Sequence, residues 1–115
     1  MKEYILIFRG GEDPRMHESP ESMEIYMLRW KRWIEQIYLQ GKYISGQPLT
    51  RSGKVVQGRE RQQTDGPFAE GKEVVGGYLL IRSKDLEEAV EISRGCPGYE
   101  FDGSVEVREV LTVQH

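Results

Sequence analysis

Two short runs in this chain, Tyr4-Ile5-Leu6-Ile7-Phe8 and Val74-Val75-Gly76-Gly77-Tyr78-Leu79-Leu80-Ile81, are apolar at consecutive positions instead of alternate ones. Side chains of a strand point alternately to its two faces, so a strand without alternation has apolar surroundings on both sides. Tyr4, Leu6 and Phe8 share one side of the first run, and Ile5 and Ile7 share the other. Each run therefore belongs in the middle of a sheet that is covered twice. A chain of 115 residues forms one domain, residues 1–115, with one core and a single helical layer. One layer covers one face, and the other face must find its cover elsewhere.

The remaining segments supply that layer. Ser19-Pro20-Glu21 reads as a helix start, with serine accepting free N–H groups, proline at the first helical position and glutamate facing the dipole. Met23, Tyr26, Met27, Trp30, Trp33, Ile34 and Ile37 follow at three-and-four spacing as far as Gly41. That period makes both tryptophans core residues on a sheet, without needing a ligand to stack on them. Residues 42–49 read as a strand, with Pro48 at an edge. Ser52-Gly53-Lys54 reads as a turn, Val55-Val56 with Arg59 to Thr64 as a polar hairpin arm bending near Gly58, and Thr64-Asp65-Gly66-Pro67-Phe68 leads from it into the second double-sided strand. Asp85-Leu86-Glu87-Glu88 matches a capping box, opening a helix whose inner face is Leu86, Ala89, Val90 and Ser93 and which Gly95-Cys96-Pro97-Gly98 ends. Residues 104–113 alternate, with Val105, Val107, Leu111 and Val113 on one face and Glu106, Arg108, Val110 and Thr112 on the other.

Strand, helix, hairpin, strand, helix, strand, joined by right-handed crossovers, places the two double-sided strands side by side at the sheet centre. The expected fold is α+β: a ferredoxin-like antiparallel sheet with two helices on one face. Tyr4, Leu6 and Phe8 are expected on the uncovered face, against a second copy. Hiding roughly 500 Å² there, at about 25 cal/mol/Å², is worth on the order of 12 kcal/mol before association costs. A sheet-to-sheet homodimer, a dimeric α+β barrel, is the simplest cover.

Charge and composition exclude several function classes. The formal net charge of -3 leaves no basic excess to neutralise phosphates, so direct nucleic-acid binding is not expected. No apolar run reaches the roughly 18 residues of a membrane span, and the N-terminal run is too short for a signal peptide, so a cytoplasmic location is expected. Cys96 is the one cysteine and reads as a small packed residue. His17 and His115 are far apart in sequence, so neither a metal site nor a Cys–His nucleophile has support from spacing, and no cofactor is expected.

With these residues in view, Thr64-Asp65-Gly66-Pro67-Phe68-Ala69-Glu70, Lys72-Glu73, Gly76-Gly77-Tyr78, Asp85-Leu86-Glu87-Glu88-Ala89 and Gly103-Ser104-Val105-Glu106-Val107-Arg108 resemble the YCII-related family, in its DGPF-domain group. The resemblance extends over nearly the whole chain. It implies a ferredoxin-like fold that dimerises through its sheets, with a pocket near the dimer interface. Some relatives look like small enzymes with a histidine–aspartate pair, and others are associated with sigma factors. In this sequence Trp30 stands where many relatives carry a helix histidine, which removes an acid–base group from that helix.

The candidate chemistry is limited. Asp65 either closes an Asx-turn beside Gly66-Pro67 or serves as an acid–base carboxylate at the mouth of a partly apolar cleft. Glu106 and Arg108 form either an interface ion pair or a pair that positions an anionic or carbonyl ligand, with Phe68 and Tyr78 as further ligand-binding candidates. Gly76-Gly77 inside a central strand indicates that the helix tryptophans or a ligand approach bare backbone. Two functions follow: a small-molecule site, acid–base catalytic in one version, near the dimer interface; or a non-catalytic binding or regulatory module linked to transcription. The sequence leaves open whether the protein is an enzyme.

Overall fold

The structure is a computed structural model that describes residues 1–11, 18–66 and 73–113. Its elements in chain order are β1 (Lys2–Arg9), α1 (Pro20–Leu39), β2 (Tyr43–Pro48), β3 (Gly53–Gln57), β4 (Gln62–Gly66), β5 (Val75–Ser83), α2 (Leu86–Ser93), a 3₁₀ turn (Pro97–Phe101) and β6 (Ser104–Glu109). Four strands form one sheet in the order β2-β5-β1-β6, antiparallel throughout, and β3 and β4 form a separate two-stranded ribbon. The two double-sided runs are the central strands, as the crossover argument requires.

Both helices begin as their sequences dictate. Ser19 Oγ accepts the Ser22 N–H at 3.1 Å with Pro20 at the first helical position, and Asp85 Oδ1 accepts the Glu88 N–H at 2.8 Å. The first helix ends at Gly41, whose φ of +73° is the left-handed turn that glycine adopts at no steric cost. At the second helix, Glu88 reaches back to accept the Lys84 N–H at 3.2 Å and the Ser83 hydroxyl at 3.2 Å, and it lies 3.2 Å from Lys42 Nζ. These bonds, the Lys84 N–H foremost and then Lys42, hold its carboxyl below the usual carboxylate range.

The core lies between this sheet and the helices. Tyr4, Leu6 and Phe8 of β1 and Leu79 and Ile81 of β5 pack under Ile37 of α1, Ala89 of α2 and Cys96. The face assignment is thus the reverse of the expected one: Tyr4, Leu6 and Phe8 lie beneath the helices, and Ile5 and Ile7 lie on the opposite face. Period-two alternation groups residues by face but does not say which group the helices cover. Here the larger side chains take the helical side, where Trp30 and Trp33 meet Phe8 edge-on at 4.9 and 5.8 Å between ring centroids. Both tryptophans are half-buried and packed on the core. Trp33 Nε1 donates to the Ile92 carbonyl at 3.2 Å, binding α1 to α2.

Two boundaries differ from expectation. The last strand stops at Glu109, and Leu111 and Val113 are exposed, not paired with Val105 and Val107 on one face. In α2, Leu86 is exposed while Ile92 packs on the core, because the helix turns its first residue outward from the cap. Cys96 is buried as expected, and burial pushes its thiol up to about 11, so it stays protonated and unreactive.

The glycine pair in β5 has a cause in the strands themselves. Between Phe8 and Arg9 the β1–β5 register jumps from Gly77 to Val75, so Gly76 is the extra residue of a bulge. A Cβ at Gly77 would stand 2.8 Å from the Gln47 carbonyl oxygen and 3.1 Å from the Pro48 Cα, both backbone atoms of β2. At Gly77 it is the neighbouring strand, and not a tryptophan, that approaches the bare backbone.

Candidate functional site

The face of the sheet away from the helices is built in rows by strand register. Tyr78, Ile7 and Glu106 form one row, with Gln47 at its β2 end; Leu80, Ile5 and Arg108 form the next, with Ser45 at its β2 end. Neither helix lies over these rows, because both pack on the Tyr4–Leu6–Phe8 side. Each row spans the sheet, so a spacing of about 4.8 Å between strands puts Tyr78 and Glu106 about 10 Å apart across Ile7. The result is an apolar floor of Ile5, Ile7 and Leu80, bordered by a phenol on one side and by charge on the other.

The charged border has a definite arrangement. Arg9 Nη1 donates to Glu106 Oε1 at 2.6 Å, while Arg108 Nη1 lies 3.8 Å from Glu106 Oε2. The first contact is a charge-assisted hydrogen bond and the second is too long to be one. Glu106 is therefore held by Arg9, and the Arg108 guanidinium, with 69% of its side chain exposed, keeps donors for another acceptor. Arg9 was not singled out from sequence. Its signal was the alternation of β1, which puts Arg9 on the face of Ile5 and Ile7, in unbroken register with Ser104 of β6.

The structure gathers three of the sequence candidates, Tyr78, Glu106 and Arg108, on this one face. It does not place Asp65 there. Asp65 lies on β4 of the ribbon, opposite Lys54, whose ammonium donates to it. With 84% of its side chain exposed, Asp65 is hydrated and paired, and the single chain gives it none of the desolvation that an acid–base role uses. Phe68, of the same motif, lies outside the described residues, as do His17 and His115.

Trp30, at the position where the resemblance implies a histidine, lies on the other side of the sheet. It lines a small recess with Phe8, Cys96, Gly98, Tyr99 and Ser104. Its indole Nε1 is buried without a hydrogen-bond partner, the one such side-chain atom among the described residues. No group of three or more His, Cys, Asp or Glu side chains able to hold a metal ion occurs among the described residues. Among the described residues, no helix is long and apolar enough to cross a membrane.

No curated protein matches the chain. Among solved structures, the chain is similar to 5-chloro-2-hydroxyhydroquinone dehydrochlorinase from Burkholderia phenoliruptrix AC1100, solved in complex with 2,5-dihydroxybenzoquinone. That likeness has a TM-score of 0.45 and 13% identity, over 91% of this chain and 90% of the other, and no inference about activity is drawn from it. A family model, the YCII-related domain, matches residues 31–114. That span contains β5 and β6 with Tyr78, Glu106 and Arg108, as well as β4 with Asp65, and by that match the chain belongs to the YCII-related family.

Proposed function

We propose that the protein is a cytoplasmic homodimer that binds a small, planar molecule with an anionic or carbonyl group on the open face of its sheet. The observation that supports this most is the juxtaposition of the Ile5–Ile7–Leu80 floor with an arginine whose donors are not spent on its neighbour. Apolar surface receives the ring, Arg108 receives the oxygen atoms, and Arg9 fixes Glu106 so that the carboxylate does not neutralise Arg108 outright. Tyr78 borders the ligand from the other side of Ile7. A second copy, facing the first sheet to sheet, would exclude water and strengthen each of these contacts.

This reading is one of binding. Trp30 removes the helix histidine that the resemblance associates with catalysis, and Asp65 is hydrated beside Lys54. An acid–base role for Asp65, with Phe68 beside it, belongs to the catalytic version of the same site. A regulatory module would use the same floor without turnover.

Isothermal titration with a panel of aromatic carboxylates, benzoate the simplest, tests the proposal. At least one should bind, and Arg108→Gln should weaken it roughly tenfold or more, as expected for losing a charge-assisted bond of about 1.5–3 kcal/mol. Asp65→Asn should leave that affinity unchanged; if it alone abolishes binding, the ligand lies at the ribbon and not on the sheet. A bound carboxylate indifferent to Arg108→Gln would contradict the assignment.

A further inference from the structure

Two features of the chain lack a partner, and one arrangement satisfies both. The first is the open sheet face described above. The second is the β3–β4 ribbon, in which Val55 alone among the described side chains is half-buried and all others are exposed. A lone two-stranded ribbon is marginally stable in water. This one carries Val56 at 59% exposure, with the turn Gly58–Arg61 at its tip closed by an Arg61 N–H to Gly58 carbonyl bond of 3.1 Å. The ribbon leaves the sheet after Pro48 and returns before Val75, at the end where Arg9 meets Val75 and Ser104.

Area argues that the ribbon takes part in the interface. The molecule is 19 Å through its thinnest direction, one sheet and one helical layer. A four-stranded face of this length offers roughly 500 Å², short of the roughly 800 Å² per partner of a standard stable interface. A five-residue strand pair reaches about 17 Å and presents about 170 Å² on one side. In a two-fold dimer each chain's own ribbon adds roughly 170 Å², since the surface it covers is already part of the sheet face, and brings each partner to about 670 Å², within the roughly 600–1,000 Å² per partner of standard interfaces.

We infer that in the homodimer each ribbon crosses to the second copy and closes the border of that copy's sheet-face site. Val56 seats on the apolar margin of the floor, and Arg59 and Arg61 at the tip stand at the mouth beside Arg108. Each site is then completed by the other chain, and the added guanidiniums select an anionic ligand. The inference rests on the sheet-to-sheet dimer of the proposed function and goes beyond it in assigning the ribbon.

Photo-cross-linking separates the two. A benzophenone amino acid is placed at Val56 in one variant and at Tyr78 in another, with products mapped by mass spectrometry. Expected are covalent dimers from both, with the Val56 product attached to β1, β5 or β6 of the other chain, and at least a tenfold weaker dimer for Val56→Asp. Covalent dimers from Tyr78 together with only intrachain products from Val56 would overturn the ribbon assignment while leaving the sheet-face dimer intact. Intrachain products from both positions, with a monomer mass in solution, would overturn the dimer and the ribbon inference together.

Discussion

At the residue scale, adjacent glycines do different things, and substitution can show it. Gly76 is a bulge residue with nothing within 4 Å of where its Cβ would stand, while Gly77 faces the β2 backbone at 2.8 Å. Gly77→Ala should cost about 1–3 kcal/mol of unfolding free energy, the usual range for forced overpacking, and Gly76→Ala well under 1 kcal/mol. Urea denaturation of the two variants checks this, and equal losses would contradict the register. Asp65→Asn should cost no more than about 1 kcal/mol, because its partner Lys54 is as exposed as an ordinary surface ion pair. The shared face of Glu106 and Arg108 was legible from alternation, whereas it takes the register of β1 with β5 and β6 to bring Tyr78 into a row with Glu106. Arg9 was not singled out, although the alternation of β1 puts it on the face of Ile5 and Ile7, because its ion pair with Glu106 depends on the β1–β6 register.

At the scale of elements, the helix caps were legible to the residue. Ser19-Pro20 and Asp85 through Glu88 are local signals, satisfied by groups three residues away, and no tertiary context was needed to read them. Their network extends further than the motif shows, since Ser83 Oγ donates to the Asp85 carbonyl at 2.8 Å and Lys42 joins from the end of α1. The lowered carboxyl of Glu88 makes stability depend on pH. A carboxyl whose folded value lies below its ordinary 4.5 contributes in full above pH 4.5 and loses that contribution as pH falls through the folded value. Glu100, lowered by the 2.5 Å contact with Arg29, acts in the same direction. Glu88→Gln should therefore destabilise the protein at neutral pH, and the difference from the parent should shrink on acidification below pH 4.5. Thermal melts between neutral pH and pH 3 measure it; a difference constant across that range would place the stabilisation elsewhere. What sequence could not give was the end of β6, because the alternation of residues 104–113 continues beyond the last residue that finds a pairing partner on β1.

At the scale of the whole molecule, strand order followed from the sequence of elements, but the covered face did not. A run apolar on both sides states that two covers exist and says nothing about which is intramolecular. The structure settles half of that question by putting the aromatic side of β1 under the helices. The other half is the central claim, that a second copy covers Ile5, Ile7, Tyr78 and Leu80 and so builds the ligand site. Light scattering on a gel-filtration peak, run at micromolar concentration on the parent and on Ile7→Lys, tests it most directly. The parent should show twice the 13.3 kDa chain mass, and Ile7→Lys should fall to one chain mass with its circular dichroism unchanged. A folded parent at one chain mass, or an Ile7→Lys dimer as tight as the parent's, would contradict it.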